Sequence, residues 1–306
     1  TDWAAKQYSG HPFIKHVVPA MHHVNARGAG IAVGNMYNSI KSVFPNQKVK
    51  KDRPFDREVL ANHLKSLELD QGIAQALNAD EAILACGIPQ AGIWIPGGAS
   101  LSLADLATAQ LQPHPLLTCL WNSRVVRLEK RGDTWALFNP VDVCLITASK
   151  VIIAAALETK SLAASIGVRL PLRPVRGQLS IFSVNANDPW TKKLPRTAIS
   201  GDGYCLPAKM LADGSYQWIV GSSFDEGEDD LAPRETSDDF NREQARGLVN
   251  YPEGDLHSLR KAGEFVGVRC VAGDRLPIIG ALTQRPGIFL ATALGSRGIL
   301  WSALAA

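Results

Sequence analysis

Residues 287–300 constrain the fold more than any other stretch of this 306-residue chain. A short apolar strand (Ile288, Phe289, Leu290, Ala291) runs into a Gly295-Ser296-Arg297-Gly298 turn, and an apolar helix starts at Ile299 and Leu300. That order gathers backbone N–H groups and a helix N-terminus at one point, which suits a phosphate or an electron-rich ring. Glycine at 295 and 298 lets a flat ligand approach the main chain closely.

The front of the chain offers no comparable signal. Gly28-Ala29-Gly30-Ile31-Ala32-Val33-Gly34 is spaced GxGxxxG, Met21-His22-His23-Val24-Asn25 before it is a poor strand, and Asn35, Asn38 and Pro45 interrupt any helix after it. A dinucleotide loop needs a strand, tight glycines and a helix in that order, so this stretch reads as a plain loop. Residues 1–57 hold nine Lys/Arg against three Asp/Glu, and four of the seven histidines. His11, His16, His22 and His23 lack companion carboxylates at helical spacing, so no metal site is expected. No run of 18 apolar residues occurs and the first thirty residues hold no apolar core, so neither a membrane span nor a secretory leader is expected, and the expected location is cytoplasmic. The five cysteines (86, 119, 144, 205, 270) form no CxxC pair and read as reduced thiols packed in a core. A net charge of +3 permits a polyanionic partner without demanding one.

Leu60, Leu64, Leu67, Ala74 and Leu77 predict helix over 57–86, with a helix start at Asn78-Ala79-Asp80-Glu81 and an end at Gly87. A short strand at 92–95, a helix over 101–111, strands over 118–128 and 135–138 and a fully buried strand over 151–156 follow. A second block holds strands over 177–184, 203–207 and 216–223, a polar helix over 237–249 and a strand over 263–271. The acidic run Asp225-Glu226-Gly227-Glu228-Asp229-Asp230 reads as a solvated loop. The pattern is a strand-rich domain inserted between two halves of an α/β domain.

Three places hold residues suited to chemistry. Arg269 rises from the apolar strand Gly267-Val268-Arg269-Cys270, where a guanidinium grips a carboxylate ligand with two parallel hydrogen bonds or pairs with Asp274. Tyr204 follows two glycines in Gly201-Asp202-Gly203-Tyr204, as a ligand donor or as a core phenol. Arg173-Pro174-Val175-Arg176-Gly177-Gln178 is a loop-to-strand junction whose Gly177 admits a planar cofactor, or an ordinary exposed turn. No Gly-x-Ser-x-Gly elbow is present.

These stretches, with Leu77-Asn78-Ala79-Asp80-Glu81-Ala82, the 94–106 segment, Gly203-Tyr204-Cys205-Leu206-Pro207-Ala208 and Leu294-Gly295-Ser296-Arg297-Gly298, keep the order and spacing of a known family. The chain resembles the glycine oxidase/D-amino-acid oxidase family of flavoenzymes, and within it the FAD-dependent domains that act on a modified wobble uridine of tRNA. The resemblance implies a mixed α/β fold: a Rossmann-like FAD-binding domain, incomplete at its front, with an inserted antiparallel-sheet substrate domain. Residues 57–96 and 170–264 would form the substrate domain, 97–169 and 265–306 the FAD-binding domain, and 1–56 an unassigned segment. It implies an oxidoreductase acting on CH–NH donors that removes the carboxymethyl group from 5-carboxymethylaminomethyl-2-thiouridine, with the tRNA anticodon region as partner. A methyltransferase domain normally precedes such a domain, and nothing in this chain looks like one. Arg269 would clamp the substrate carboxylate with help from Tyr204. Gly295, Ser296, Arg297 and Gly298 would line the flavin ring, Gly177 would lie against the cofactor, and Val125 would meet the adenine. Residues 1–55 do not reproduce the family's GxGxxG, and Ala156 or Leu157 stands where a glycine is usual. Two other readings are compatible with the residues: an oxidase of free glycine or D-amino acids, and a flavin-free binding module.

Overall fold

The computed structural model describes residues 20–22, 57–98, 100, 102–111, 115–201, 203–249, 259–295, 298, 299 and 301. The chain divides into two compact units. The first takes residues 1–103, 178–223 and 232–266, and the second takes 104–177, 224–231 and 267–306. In chain order the elements are β1 (Ala20–His22), α1 (Arg57–Ser66), β2 (Gln75–Leu77), α2 (Ala79–Cys86), β3 (Gly92–Ile95), α3 (Leu103–Gln110), β4 (Arg127–Arg131), β5 (Thr134–Phe138), β6 (Cys144–Ala148) and β7 (Val151–Ile153). They continue with α4 (Thr159–Ser165), β8 (Leu172–Val184), β9 (Ala198–Gly201), β10 (Gly203–Cys205), β11 (Lys209–Met210), β12 (Tyr216–Gly221), β13 (Asp225–Glu226), α5 (Glu235–Val249), β14 (Arg260–Ala272), β15 (Ile278–Ala281) and β16 (Ile288–Thr292). No helix among the described residues is long and apolar enough to cross a membrane.

The first unit is built on a mostly antiparallel sheet in the order β8-β12-β10-β9-β1-β3-β2. One face carries the core, where Phe182, Ile199, Cys205, Trp218 and Val220 meet Ala82 of α2 and Ala245 of α5. The other face, at the β3–β2 end, is covered by Leu60 and Leu64 of α1. Met21 and His22, a poor strand by composition, lie in β1, which pairs antiparallel with β3 and parallel with β9. Pairing with two neighbours overrides weak propensity.

The helix expected over 57–86 is two helices with a strand between them. Leu60 and Leu64 are buried, but Leu67 is on the surface, so the apolar stripe stops at α1. The Asp70 carboxylate then accepts the Gly72 N–H at 2.6 Å and turns the chain. Asn78 restarts the helix with a capping box: its side chain accepts the Glu81 N–H and the Glu81 carboxylate accepts the Asn78 N–H, both at 2.9 Å. Gly87, at φ 85°, closes α2, and the Arg196 guanidinium donates to the Ile83 and Leu84 carbonyls at 2.7 Å.

In the second unit β7 runs parallel to β16, and β15 pairs antiparallel on the other side of β16. A separate antiparallel sheet has the order β4-β5-β6. The strand expected over 118–128 starts only at Arg127, and Leu116, Leu120 and Trp121 are exposed in the segment before it. The strand expected to be fully buried over 151–156 is three residues long, and Ile152 is 68% exposed. Composition anticipated a buried parallel-type strand, whereas among the described residues β7 is at the end of its sheet. The packed-thiol reading holds for Cys86, Cys205 and Cys270 but not for Cys144, which is exposed. Burial pushes the Cys205 thiol up to about 12.

The acidic run is not simply a solvated loop. Asp225 and Glu226 form β13 against Val175 and Arg176 of β8. Arg176 is fully buried, donates from Nη1 to Asp225 at 2.9 Å and from Nε to the Asp230 carbonyl at 2.8 Å. Glu226 lies 3.1 Å from Arg275 and 3.6 Å from Arg173. The exposed-turn alternative for this junction therefore fails: it is the start of β8, and its buried guanidinium has a carboxylate beside it, as burial requires.

Candidate active site

β14 carries Arg269, and β16 leads into a bend where Ala293 and Gly295 adopt φ 58° and 57°. Val271 is two residues beyond Arg269, so both side chains leave the same face of the strand. A Cβ built at Gly295 would stand 3.7 Å from Val271 Cγ1. The arginine-bearing strand and the glycine bend thus adjoin within one unit. The Arg269 guanidinium carbon sits 5.5 Å from the centre of the Phe224 ring, a cation–π contact that orients it. The Asp274 carboxylate accepts the Leu276 N–H at 3.0 Å. Gly298 is helical, with open ordinary packing toward Leu294, while Ser296 and Arg297 lie outside the described residues, as does the glycine-rich stretch at 28–34.

A cleft of about 310 Å³ opens beside β7. It is lined by Val125, Leu128, Leu137, Leu162 and residues 151–155, none of them charged. Such walls fit a flat ring and offer nothing to a phosphate, so the described residues suit the aromatic parts of a dinucleotide. Just past β7, Ala156 is held at φ 47°, and Thr292 Oγ1 of β16 donates to its carbonyl at 3.0 Å. A left-handed backbone costs an L-residue about 1–2 kcal/mol that glycine does not suffer. Replacing Ala156 with glycine is therefore expected to raise stability by about 0.5–1 kcal/mol, after glycine's extra chain entropy is subtracted. Thermal melting checks this; a lowered Tm would show that the turn is unstrained.

Tyr204 belongs to the first unit, on the sheet face opposite the core. Its strand neighbour Cys205 and the cross-strand Ile199 point into the core, so Tyr204 and its partner Ser200 face the other way. The register lines up Leu179, Gly221, Tyr204 and Ser200 across four strands. Ile181 and Ile219 form the next row and are half-buried. A Cβ at Gly221 would be 2.6 Å from Leu179 Cδ2, so the leucine lies across the glycine. At Gly203, φ is 111° and a Cβ would be 2.1 Å from Gln244 Oε1, which leaves glycine alone able to set up the turn before Tyr204. Leu179, Gly221 and Ser200 escape sequence reasoning because nothing in a linear chain states cross-strand register.

The residues that alternate with this platform on β8 are clamped from behind. Asp238 of α5, 4% exposed, accepts from Ser180 Oγ at 2.6 Å and from Gln178 Nε2 at 2.9 Å, and pairs with Lys261 of β14. Asn241 donates to the Gln178 carbonyl at 2.9 Å and to Ser180 Oγ at 3.0 Å. Burial tends to raise the Asp238 carboxyl, but Lys261, Ser180 and Gln178 outweigh it and hold it below the usual carboxylate range. Gly177 is buried in β8 between the stretch paired with β13 and the stretch paired with β12.

The family profile described as FAD dependent oxidoreductase matches residues 49–306. The chain is 30% identical over 285 residues to the tRNA 5-methylaminomethyl-2-thiouridine biosynthesis bifunctional protein MnmC of Ralstonia nicotianae, covering 81% of this chain and 42% of that protein. It is 33% identical over 258 residues to the MnmC of Burkholderia cenocepacia, covering 76% of this chain and 38% of that protein. The chain thus spans about two fifths of the length of these curated relatives. Among solved structures it is similar to glycine oxidase from Geobacillus kaustophilus, with TM-score 0.65, 18% identity, and coverage of 99% of this chain and 73% of that one. L-alpha-glycerophosphate oxidase from Mycoplasma pneumoniae, a structure with FAD bound, gives TM-score 0.69 at 15% identity, covering 97% of this chain and 74% of that one. These likenesses extend the mixed α/β arrangement of sheets and helices to the fold of the flavin oxidases. With a profile match that runs from residue 49 to the last residue, the chain belongs to the FAD-dependent oxidoreductase family.

Proposed function

We propose that this chain uses FAD to remove the carboxymethyl group from the carboxymethylaminomethyl arm of a wobble uridine in tRNA. The observation that supports this reading most directly is the adjoining of the Arg269 strand and the Gly295 bend in one unit. The unit of residues 104–177, 224–231 and 267–306 then serves as the cofactor domain, and the sheet unit carries the substrate platform. FAD, when bound, supplies the two-electron acceptor. The cleft at Val125 is the place for the adenine, and the bare backbone at Gly295 and Gly298 leaves room for the flavin ring. Ser296 and Arg297 are assigned to the same ring by the family resemblance, as is Gly177.

Arg269 is the carboxylate clamp: its planar fork matches two carboxylate oxygens, and the Phe224 ring restricts its swing. Tyr204 is assigned to the substrate by the family resemblance. Fixing the carboxylate of the –NH–CH2–COO⁻ unit converts encounter into orientation, which is what the protein contributes to flavin chemistry. Loss of two hydrogens across the N–CH2 bond followed by hydrolysis releases glyoxylate and leaves the aminomethyl base. The methylating step of the bifunctional relatives is assigned to residues beyond the matched segment.

The test is to load the purified chain with FAD and supply tRNA carrying the modified base. Glyoxylate is expected in proportion to the aminomethyl base formed. Turnover of N-methylglycine with none of the tRNA would favour the free amino-acid oxidase, to which the glycine oxidase fold also points. A protein that takes up no flavin would leave only the binding-module reading. Binding of tRNA should weaken steeply with salt, since phosphate contacts release counterions.

A further inference from the structure

Ser200 stands directly opposite Tyr204 where β9 pairs with β10. Directly opposed residues of an antiparallel pair share a face, with Cβ atoms about 4.5–5.5 Å apart. Ile199 and Cys205, the alternating neighbours, are fully buried in the core, so the two hydroxyl side chains face the platform. Toward β12 and β8 the platform beside them is aliphatic or bare, at Leu179, Ile181, Ile219 and Gly221, while on the other side His22 of β1 is in register with Ser200. A ring laid over Gly221 and Tyr204 has the hydroxyls of Tyr204 and Ser200 beside it.

We propose that Ser200 is a specificity-determining residue that hydrogen-bonds a ring carbonyl of the substrate base while Tyr204 engages the amine arm. This rests on the function proposed above. A uracil substituted at C5 carries its O4 beside the arm, so side chains of two neighbouring strands can engage the two groups together. A free amino acid has the arm but no ring carbonyl. Tyr204 therefore serves both substrate classes, and Ser200 serves only the base-linked one.

The experiment compares wild type, Ser200→Ala and Ser200→Thr as FAD-loaded protein on two substrates, 5-carboxymethylaminomethyluridine and N-methylglycine. Ser200→Ala is expected to lower kcat/KM for the nucleoside by about 3- to 10-fold, the worth of one neutral hydrogen bond, and to leave N-methylglycine within about two-fold. Ser200→Thr, which keeps the hydroxyl, is expected to restore the nucleoside. Equal changes on both substrates, or no change on either, would overturn the assignment. Equilibrium dialysis of the nucleoside gives a second readout that needs no turnover. If wild type turns over neither substrate, the parent reading fails by itself. In that case binding about 3- to 10-fold weaker to Ser200→Ala still supports Ser200, while equal binding or none overturns it.

Discussion

Arg269→Ala is expected to lower kcat/KM by about 10²- to 10³-fold while leaving the thermal transition and the bound flavin in place. The physical basis is the loss of a two-pronged, charge-assisted grip on a carboxylate; stranding a desolvated charge costs about 3–5 kcal/mol, and each 1.36 kcal/mol is a factor of ten in rate. Arg269 sits on β14, a strand of thirteen residues, so its backbone is held independently of its side chain. Alanine removes the Phe224 contact, worth about 0.5–2 kcal/mol of local order. Arg269→Lys separates charge from geometry: a lysine keeps the charge but loses the fork, and should recover only part of the rate. Stopped-flow reduction of the flavin by substrate, with flavin content read from absorbance, measures both quantities. Unchanged kcat/KM in Arg269→Ala would remove this residue from the substrate role. A colourless variant would place it against the cofactor instead.

Asp238→Ala is expected to cost about 3–5 kcal/mol of stability, a large part of the 5–15 kcal/mol that a domain has in total. The side chain is buried and takes hydrogen bonds from Ser180 and Gln178 and an ion pair from Lys261. Alanine would leave those three groups facing a void, and unsatisfied buried donors are expensive. The dependence on pH has a definite sign. The Asp238 carboxyl is held below its ordinary value of 3.8, so its stabilising contribution is complete above that value and is lost as pH falls through the lower folded value. The Lys261 ammonium is held above 10.5, chiefly by Asp238 and then by Glu264, so its contribution is complete below 10.5 and is lost as pH rises through the higher folded value. Urea unfolding at neutral pH and again near pH 3 checks this. Asp238→Ala should be far less stable than wild type at neutral pH and should differ from it less in acid. A constant difference at both pH values would show that the carboxylate's charge does not matter.

This cluster also accounts for how the platform is held. Gln178 and Ser180 face α5, while Leu179 and Ile181 between them face the other side of the sheet. A slip of β8 by one residue would bury the aliphatic pair against Asp238 and expose the polar pair. The polar contacts on one face therefore set which side chains form the platform on the other.

Local chemistry was legible in the chain itself. The Asn78–Glu81 capping box, the Gly87 stop and the polar helix near 237–249 follow from short-range rules that need no distant partner. Length was less legible: β8 and β14 each reach thirteen residues because neighbouring strands extend them. Arg269 stood out as a cation in an apolar strand, and Gly295 as a glycine after one. The burial of Arg176 was not legible, because it depends on Asp225, which is 49 positions away in the chain.

The amino-acid order by itself determined which segments turn, cap and alternate, since those choices are settled within a few residues by sterics and local hydrogen bonds. Only the tertiary structure decided that Val271 meets Gly295, that Ser200 stands beside Tyr204 and that the acidic run folds onto buried arginine. Strand register and the pairing of buried charges are set by contacts between residues far apart in the chain, and those contacts exist only once the chain has closed on itself.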